Sequence, residues 1–186
     1  SVTKLAHIHF AANEEARRRL IQMGEYEESI FVVGSPDVDV MLSDTLPSLS
    51  EVKQRYDIPF DQYSVFIFHP VTTELSRLRR NAQQVLTALQ ESEQNFVVIY
   101  PNNDAGSEII LEEMQPLHHN SHFRFYPSLR FEYFLSLLRH ANSIVGNSSA
   151  GIREAPVYGL PSINIGSRQM NRFDHPSIIN VSENKE

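Results

Sequence analysis

Cysteine and tryptophan are both missing from this chain of 186 residues. Without cysteine, the chain can form neither a disulfide framework nor a thiolate metal site. Long apolar runs are missing as well, since none approaches the roughly 20 residues that a transmembrane helix requires. Residues 1–4 do not have the character of a signal peptide. We therefore predict a cytoplasmic protein that does not enter membranes.

Basic residues are scarcer than acidic ones, 16 against 23, which gives a net charge of −7. This balance predicts no nucleic-acid partner, because the phosphate backbone requires a basic surface. Residues 124–172 are locally basic, in contrast to the acidic balance of the whole chain, with six arginines against only Glu132 and Glu154. The arginines in this segment fit a bound diphosphate, but they fit ordinary solvated helix faces equally well.

Short apolar runs rich in β-branched residues alternate with helical patterns along the chain. The runs predict strands at residues 5–10, 29–33, 65–68, 96–100, 123–126, 143–145, 162–165 and 178–179. Apolar residues at helical spacing predict helices across residues 75–89 and 131–138. Strands that are apolar on consecutive residues are buried on both faces, so we predict an α/β fold with a Rossmann-like parallel sheet flanked by helices.

A domain boundary is predicted near Ser35, because Pro36 and the polar residues 43–48 are typical of a change of layer or domain. Residues 1–34 hold a strand, helix and strand that are too few for a core of their own. We interpret them as the tail of a preceding Rossmann-like domain, and residues 35–186 as a second one.

Polar residues follow three of the predicted strands, where open parallel sheets bind ligands. His69 follows the first of these strands, and imidazole exchanges protons near neutral pH. A histidine that only bonds the turn is the equal alternative. Asn102 follows the next strand, but Asn102, Asn103 and Asp104 could also cap a helix without any ligand.

The most specific pattern is Gly146-Asn147-Ser148-Ser149 after a strand, followed by Glu154. A helix beginning near Ser149 would present free N–H groups and its positive dipole end to an anion. Glu154 would accept hydrogen bonds from a ribose, as acids do in other nucleotide folds. The alternative is a simple helix cap formed by these polar residues.

Two further side chains fit a nucleotide. Arg168 follows the next strand, where its guanidinium could clamp a phosphate, and Arg172 is a weaker candidate. Phe131 or Phe134 could stack on a base, although an aromatic stripe on a helix is more often core. His118, His119 and His122 have no carboxylate nearby, so no metal site is predicted.

The sequence resembles the hydrolysing UDP-N-acetylglucosamine 2-epimerases and their relatives that act on UDP-diacetamido-trideoxy sugars. Six stretches carry the resemblance in order along the chain: residues 4–7, 34–39, 69–73, 101–107, 146–154 and 163–169. The non-hydrolysing branch carries His-Arg-Arg-Glu-Asn at the His69 position and an acid-glycine pair at Asn147-Ser148-Ser149, so these stretches favour the hydrolysing branch.

This resemblance implies the C-terminal half of the two-domain GT-B architecture. By similarity, Ser148 and Ser149 would hold the diphosphate of UDP and Glu154 its ribose. Phe134 would lie at the uracil, Asn102 and Arg168 would contact further parts of UDP, and His69 would serve the reacting region as the catalytic residue.

The implied reaction eliminates UDP across C1 and C2 of the sugar and adds water, giving N-acetylmannosamine for sialic-acid-type biosynthesis without a cofactor. The base would lie in the N-terminal domain, and the full-length protein would be a homo-oligomer. Three alternatives stay open: a UDP-diacetamido-trideoxy-sugar 2-epimerase, a GT-B glycosyltransferase and a non-catalytic UDP-sugar-binding module.

Overall fold

The computed structural model describes residues 2–184. It contains two compact units, residues 1–44 and residues 45–186. The division between these units falls after Asp44, because the helix Pro36–Met41 groups with the first unit. None of the helices within residues 2–184 is long and apolar enough to cross a bilayer.

The first unit is built around two short parallel strands, which pair from His9 with Ile30 to Ala11 with Val32. Its elements are α1 (Val2–Leu5), β1 (His9–Ala11), α2 (Glu14–Gln22), β2 (Ile30–Val32) and α3 (Pro36–Met41). The first strand was predicted to begin at Leu5, but residues 2–5 form a helical turn instead. Asn13 caps α2, since its side chain accepts a hydrogen bond from the Ala16 N–H at 2.8 Å.

The second unit contains a parallel sheet of six strands with the order β5-β4-β3-β6-β7-β8. Its strands are β3 (Ser64–Ile67), β4 (Phe96–Ile99), β5 (Phe123–Tyr126), β6 (Ile144–Gly146), β7 (Ser162–Ile165) and β8 (Ile178–Val181). Its helices are α4 (Leu49–Tyr56), α5 (Leu75–Glu91), α6 (Ser107–Met114), α7 (Phe131–Arg139) and α8 (Ala150–Arg153). The predicted α/β fold with a parallel sheet is confirmed.

Helices cover both faces of this sheet. Val65 and Ile67 of β3 pack in one core with α4 and α7, whereas Phe66 and Phe68 pack in another with α5 and α6. The predicted apolar face of α5 is buried except for Leu75, which is 39% exposed. Burial of consecutive strand residues on both faces is the property that the apolar runs predicted.

The strand order places β3 at the centre, and the chain changes its direction of growth there. From β3 the chain adds β4 and β5 on one side, and it then returns to add β6, β7 and β8 on the other. The carboxyl ends of β3 and β6 therefore border the point where the strand order reverses. Ligands of open parallel sheets bind in the crevice at such a point.

Gly146 ends β6 in a conformation that only glycine adopts easily, with φ +131°. A Cβ atom at this position would lie 1.9 Å from the Ile67 carbonyl oxygen, a backbone atom of the adjacent strand. We expect Gly146→Ala to lower the free energy of unfolding by about 3–5 kcal/mol, measured by urea denaturation.

Gly159→Ala is the matched control, because Gly159 also has a positive φ of +63° but open space around the missing Cβ. We expect this variant to lower the free energy of unfolding by about 1–2 kcal/mol, the strain of an alanine in the left-handed conformation. Equal losses for the two variants would contradict the close contact between β6 and β3.

Candidate functional site

His69 lies just beyond β3 and is held by the loop after β4. The Asn102 backbone N–H donates a hydrogen bond to His69 Nδ1 at 3.0 Å, and the Asn102 side-chain amide donates to the Asp104 carboxylate. The N-cap of α6 is Gly106, with no side-chain cap bond, so Asn102, Asn103 and Asp104 do not cap this helix. The bond between Asn102 and Asp104 shapes the turn without any ligand.

The His69 imidazole is neutral in this environment. Burial, followed by the nearby positive charge of Arg168, lowers its pKa from 6.5 to about 4. Because Nδ1 accepts the Asn102 N–H, the ring proton belongs on Nε2. A neutral ring of this form can still donate one hydrogen bond, from Nε2, to a ligand.

The lowered pKa of His69 predicts the pH dependence of stability. The unfolded chain takes up the proton near pH 6.5 and the folded chain only near pH 4. The contribution of neutral His69 to stability is therefore complete above pH 6.5 and is lost as the pH falls to 4. We expect the titration of the ring, measured by NMR with His69→Gln identifying its signal, to have a midpoint near 4. A midpoint near 6.5 would contradict the buried environment.

Asn147 is fully buried and does not cap a helix. Its side chain pairs with the backbone of His69: Oδ1 accepts from the N–H at 2.7 Å and Nδ2 donates to the carbonyl oxygen at 2.8 Å. Ser149 occupies the N-cap position of α8 but makes no side-chain cap bond. Ser148 serves the turn into α8, because its Oγ accepts from the Ala150 N–H at 3.3 Å. The simple helix-cap alternative therefore fails for Asn147, whereas the two serines lie at the start of α8 as that alternative predicts.

The helix that follows Ser149 has only four residues. It ends at Arg153, and a 3-10 turn, Ala155–Tyr158, continues the chain. Pro156 lies in the first turn of this 3-10 segment and lacks the N–H that an α-helix needs. Glu154 therefore occupies the junction between the two segments and is half-buried.

Arg168 follows the carboxyl end of β7, at the same edge of the sheet as His69 and Ser148. Its Nη1 donates to the Asn147 carbonyl oxygen at 3.1 Å. Burial, followed by the positive charge of Arg172, lowers the pKa of Arg168 from its usual value. A partly buried guanidinium beside a second cation is an environment that favours a bound anion.

A cavity of about 290 Å³ lies at the carboxyl ends of β3, β4 and β6. Its wall includes His69, Phe134 and Ser148, together with Tyr100 and Phe131. The structure thus brings three predicted site residues to one cavity. The wall does not include Asn102, Ser149, Glu154 or Arg168, as far as residues 2–184 describe it.

The two aromatic side chains at the start of α7 face this cavity. Phe131 is 42% exposed, whereas Leu135 and Leu138 of the same helix are fully buried. Phe134 lines the cavity and also packs against the core of α4 and α7. Only the leucines of the predicted stripe are therefore purely core residues.

No metal site is formed within residues 2–184, where no three His, Cys, Asp or Glu side chains come together. A larger cavity of about 440 Å³ lies between the loops after β7 and β8. It is lined by Gly166, Met170, Phe173 and Glu183 among others and contains none of the predicted site residues. The smaller cavity at the strand reversal is therefore the candidate site.

The family model described as UDP-N-acetylglucosamine 2-epimerase matches residues 1–186, the whole chain. The chain belongs to the UDP-N-acetylglucosamine 2-epimerase family. The resemblance noted from the sequence is thereby confirmed.

Three curated relatives of this epimerase-family chain carry different names. A UDP-N-acetylglucosamine 2-epimerase of Neisseria meningitidis serogroup B is 55% identical over 97% of this chain and 48% of its own length. A UDP-N,N'-diacetylbacillosamine 2-epimerase (hydrolyzing) of Legionella pneumophila is 34% identical over 97% of this chain and 48% of its own length. Polysialic acid biosynthesis protein P7 of Escherichia coli is 33% identical over 100% of this chain and 48% of its own length. The chain spans about half the length of the curated relatives it matches.

Solved structures share the fold of this epimerase-family chain. UDP-GlcNAc 2-epimerase from Methanocaldococcus jannaschii gives a TM-score of 0.72 at 18% identity, over 98% of this chain and 53% of that one. A complex of S. aureus MnaA with UDP gives 0.69 at 19% identity, over 99% and 50%. At these identities the likeness concerns the fold alone.

Two buried polar residues of this epimerase-family chain were not predicted as functional. Gln169 is 2% exposed, and its Nε2 donates to the Asn147 carbonyl oxygen at 2.9 Å. From the sequence, Asn147 is only a part of the stretch that precedes Ser148. The signal in the sequence was an amide beside each predicted ligand residue, since Asn147 precedes Ser148 and Gln169 follows Arg168.

Proposed function

We propose that this chain is the UDP-binding half of a hydrolysing UDP-N-acetylglucosamine 2-epimerase. The observation that supports this most is the convergence of His69, Phe134 and Ser148 on one cavity at the strand reversal. Residues 35–186 would form the UDP-binding domain. Residues 1–34 would be the tail of the preceding domain, which would complete a GT-B protein.

In this proposal the uracil lies against Phe134 and the diphosphate extends toward Ser148 and Ser149. Arg168 binds a phosphate oxygen, because its guanidinium is partly buried and has Arg172 beside it. Asn102 contacts a further part of UDP from the loop after β4. Glu154 accepts the ribose hydroxyls, as the family resemblance implies.

The proposed reaction begins with removal of the C2 proton of the sugar by a base outside this chain. The bond between C1 and the diphosphate oxygen then breaks, and UDP departs with the bonding electrons. Water adds its hydroxyl to C1 and a proton returns to C2, which yields N-acetylmannosamine. Within this chain, Arg168, the serines and the Nε2–H of His69 would stabilise the charge on the departing diphosphate.

N-Acetylglucosamine is the preferred sugar of the proposal, because the relative named for it is 55% identical and the relative named for diacetylbacillosamine is 34% identical. The full-length protein would be a cytoplasmic homo-oligomer that makes N-acetylmannosamine for sialic-acid-type sugars. It would require no cofactor.

Product analysis of the full-length protein tests this function. Incubation with UDP-N-acetylglucosamine and no acceptor should release equal amounts of N-acetylmannosamine and UDP. Proton NMR measures both products. An absolute acceptor requirement would indicate a GT-B glycosyltransferase, and binding without turnover would indicate a UDP-sugar sensor. Faster turnover of UDP-N,N'-diacetylbacillosamine would reassign the sugar. The 186-residue chain alone should bind UDP weakly and turn nothing over.

A further inference from the structure

Asn147 connects the ends of the two central strands. Its backbone N–H donates to the Ile67 carbonyl oxygen at 3.1 Å. Beyond that bond, its side-chain amide forms the two hydrogen bonds with the His69 backbone described above. The side-chain amide of Asn147 supplies the donor and the acceptor that a peptide group of β6 would otherwise offer to the chain after β3. The two strands therefore stay hydrogen-bonded beyond their last backbone pair, Ile67 with Gly146.

The backbone carbonyl of Asn147 holds the loop after β7. It accepts hydrogen bonds from Arg168 Nη1 at 3.1 Å and from Gln169 Nε2 at 2.9 Å. Gln169 is itself buried, and its Oε1 accepts from Arg172 Nη1 at 3.2 Å. Three loops, those after β3, β6 and β7, are therefore fixed to a single residue.

We propose that Asn147 is a positioning residue, which fixes His69 on the wall of the nucleotide cavity and Arg168 in the loop after β7 before the ligand binds. This proposal rests on the proposed function, because its value lies in where the two side chains meet UDP. Ser148, the next residue along the chain, lines the cavity directly. Groups held in advance of binding lose little freedom when the ligand arrives.

The chemistry of the site requires an amide at this position. His69 presents one backbone donor and one backbone acceptor to Asn147. A carboxylate has no donor for the carbonyl oxygen and would place a negative charge near the diphosphate. An alanine would leave both backbone groups without these partners at a part-buried position, where an unpaired polar group is costly.

Asn147→Ala in this chain tests the proposal by two measurements. We expect the UDP dissociation constant to rise roughly tenfold, since two hydrogen bonds that orient the site are lost. In the unliganded chain we expect the His69 titration midpoint to move upward from about 4, because the loop is released toward solvent.

Asn164→Ala is the matched control. Asn164 is also a buried asparagine of the sheet, 2% exposed, and its Nδ2 donates to Asn180 Oδ1 at 2.7 Å. This side-chain bond ties β7 to β8 rather than to the loop that holds His69. We expect this variant to be less stable in urea, with an unchanged UDP dissociation constant and an unchanged His69 midpoint.

If Asn147→Ala folds and leaves both measurements at the wild-type values, the proposal is overturned and Asn147 is only structural. If that variant does not fold, Gln169→Met removes one donor to the Asn147 carbonyl with little change in volume. It should weaken UDP binding several-fold, and wild-type affinity would then overturn the proposal. If the wild-type chain fails to bind UDP, the proposed function is contradicted. The positioning role is then decided by whether the His69 titration midpoint differs between Asn147→Ala and the wild type.

Discussion

Replacing Arg168 by methionine is expected to raise the UDP dissociation constant roughly 30- to 150-fold. The guanidinium is partly buried, and both burial and Arg172 lower its pKa, so the unliganded site holds a charge that lacks full solvation. A phosphate restores that solvation through charge-assisted hydrogen bonds, which together contribute about 2–3 kcal/mol. Isothermal titration calorimetry with UDP measures the loss.

Stability should not fall with affinity in this variant. Methionine keeps most of the apolar stem and removes the repulsion between Arg168 and Arg172. This offsets the lost hydrogen bond to the Asn147 carbonyl, which Gln169 still contacts, so we expect a urea midpoint close to that of the wild type. Arg79→Met is the matched control, because Arg79 pairs with Glu112 and Glu113 on the exposed side of α5 and α6. It should leave UDP binding unchanged. Wild-type affinity in Arg168→Met would remove Arg168 from the site.

The strands of the sheet were predictable because they are buried on both faces and therefore apolar at consecutive positions. The six runs in the second unit all became strands of one parallel sheet, including the four-residue run that became β7. The first strand was predicted too early, since Leu5 to Ile8 are apolar enough for a strand while residues 2–5 form a helical turn. Short apolar runs do not distinguish these two structures by periodicity.

The residue types of the candidate site were predictable from their places after strands, but the connections between them were not. Asn147 bonds a residue 78 positions earlier, and Gln169 bonds one 22 positions earlier. Such pairings follow from the strand order β4-β3-β6-β7, which places those loops side by side. Without the strand order, the Asn147 amide fits a helix cap as well as it fits hydrogen bonds to the loop after another strand.

The His69→Ala variant of the full-length protein is expected to lose about 100-fold or more in turnover, with a much smaller change in UDP affinity. His69 lines the cavity with Ser148, and its neutral ring has Nε2–H available while Nδ1 is held by Asn102. A donor aimed at the departing diphosphate acts mainly in the transition state, where the charge develops. Steady-state kinetics with UDP-N-acetylglucosamine measures the effect on kcat.

Two further variants separate the possible roles of this ring. His69→Gln keeps a neutral N–H donor, so it should retain part of the turnover if hydrogen bonding suffices, and it should match His69→Ala if the ring must exchange a proton. His122→Ala is the matched control, since His122 bonds Asn95 at 2.9 Å at the amino ends of β4 and β5, away from the cavity. Full turnover in His69→Ala, together with normal UDP binding, would leave His69 as a turn residue and support a non-catalytic UDP-sugar sensor.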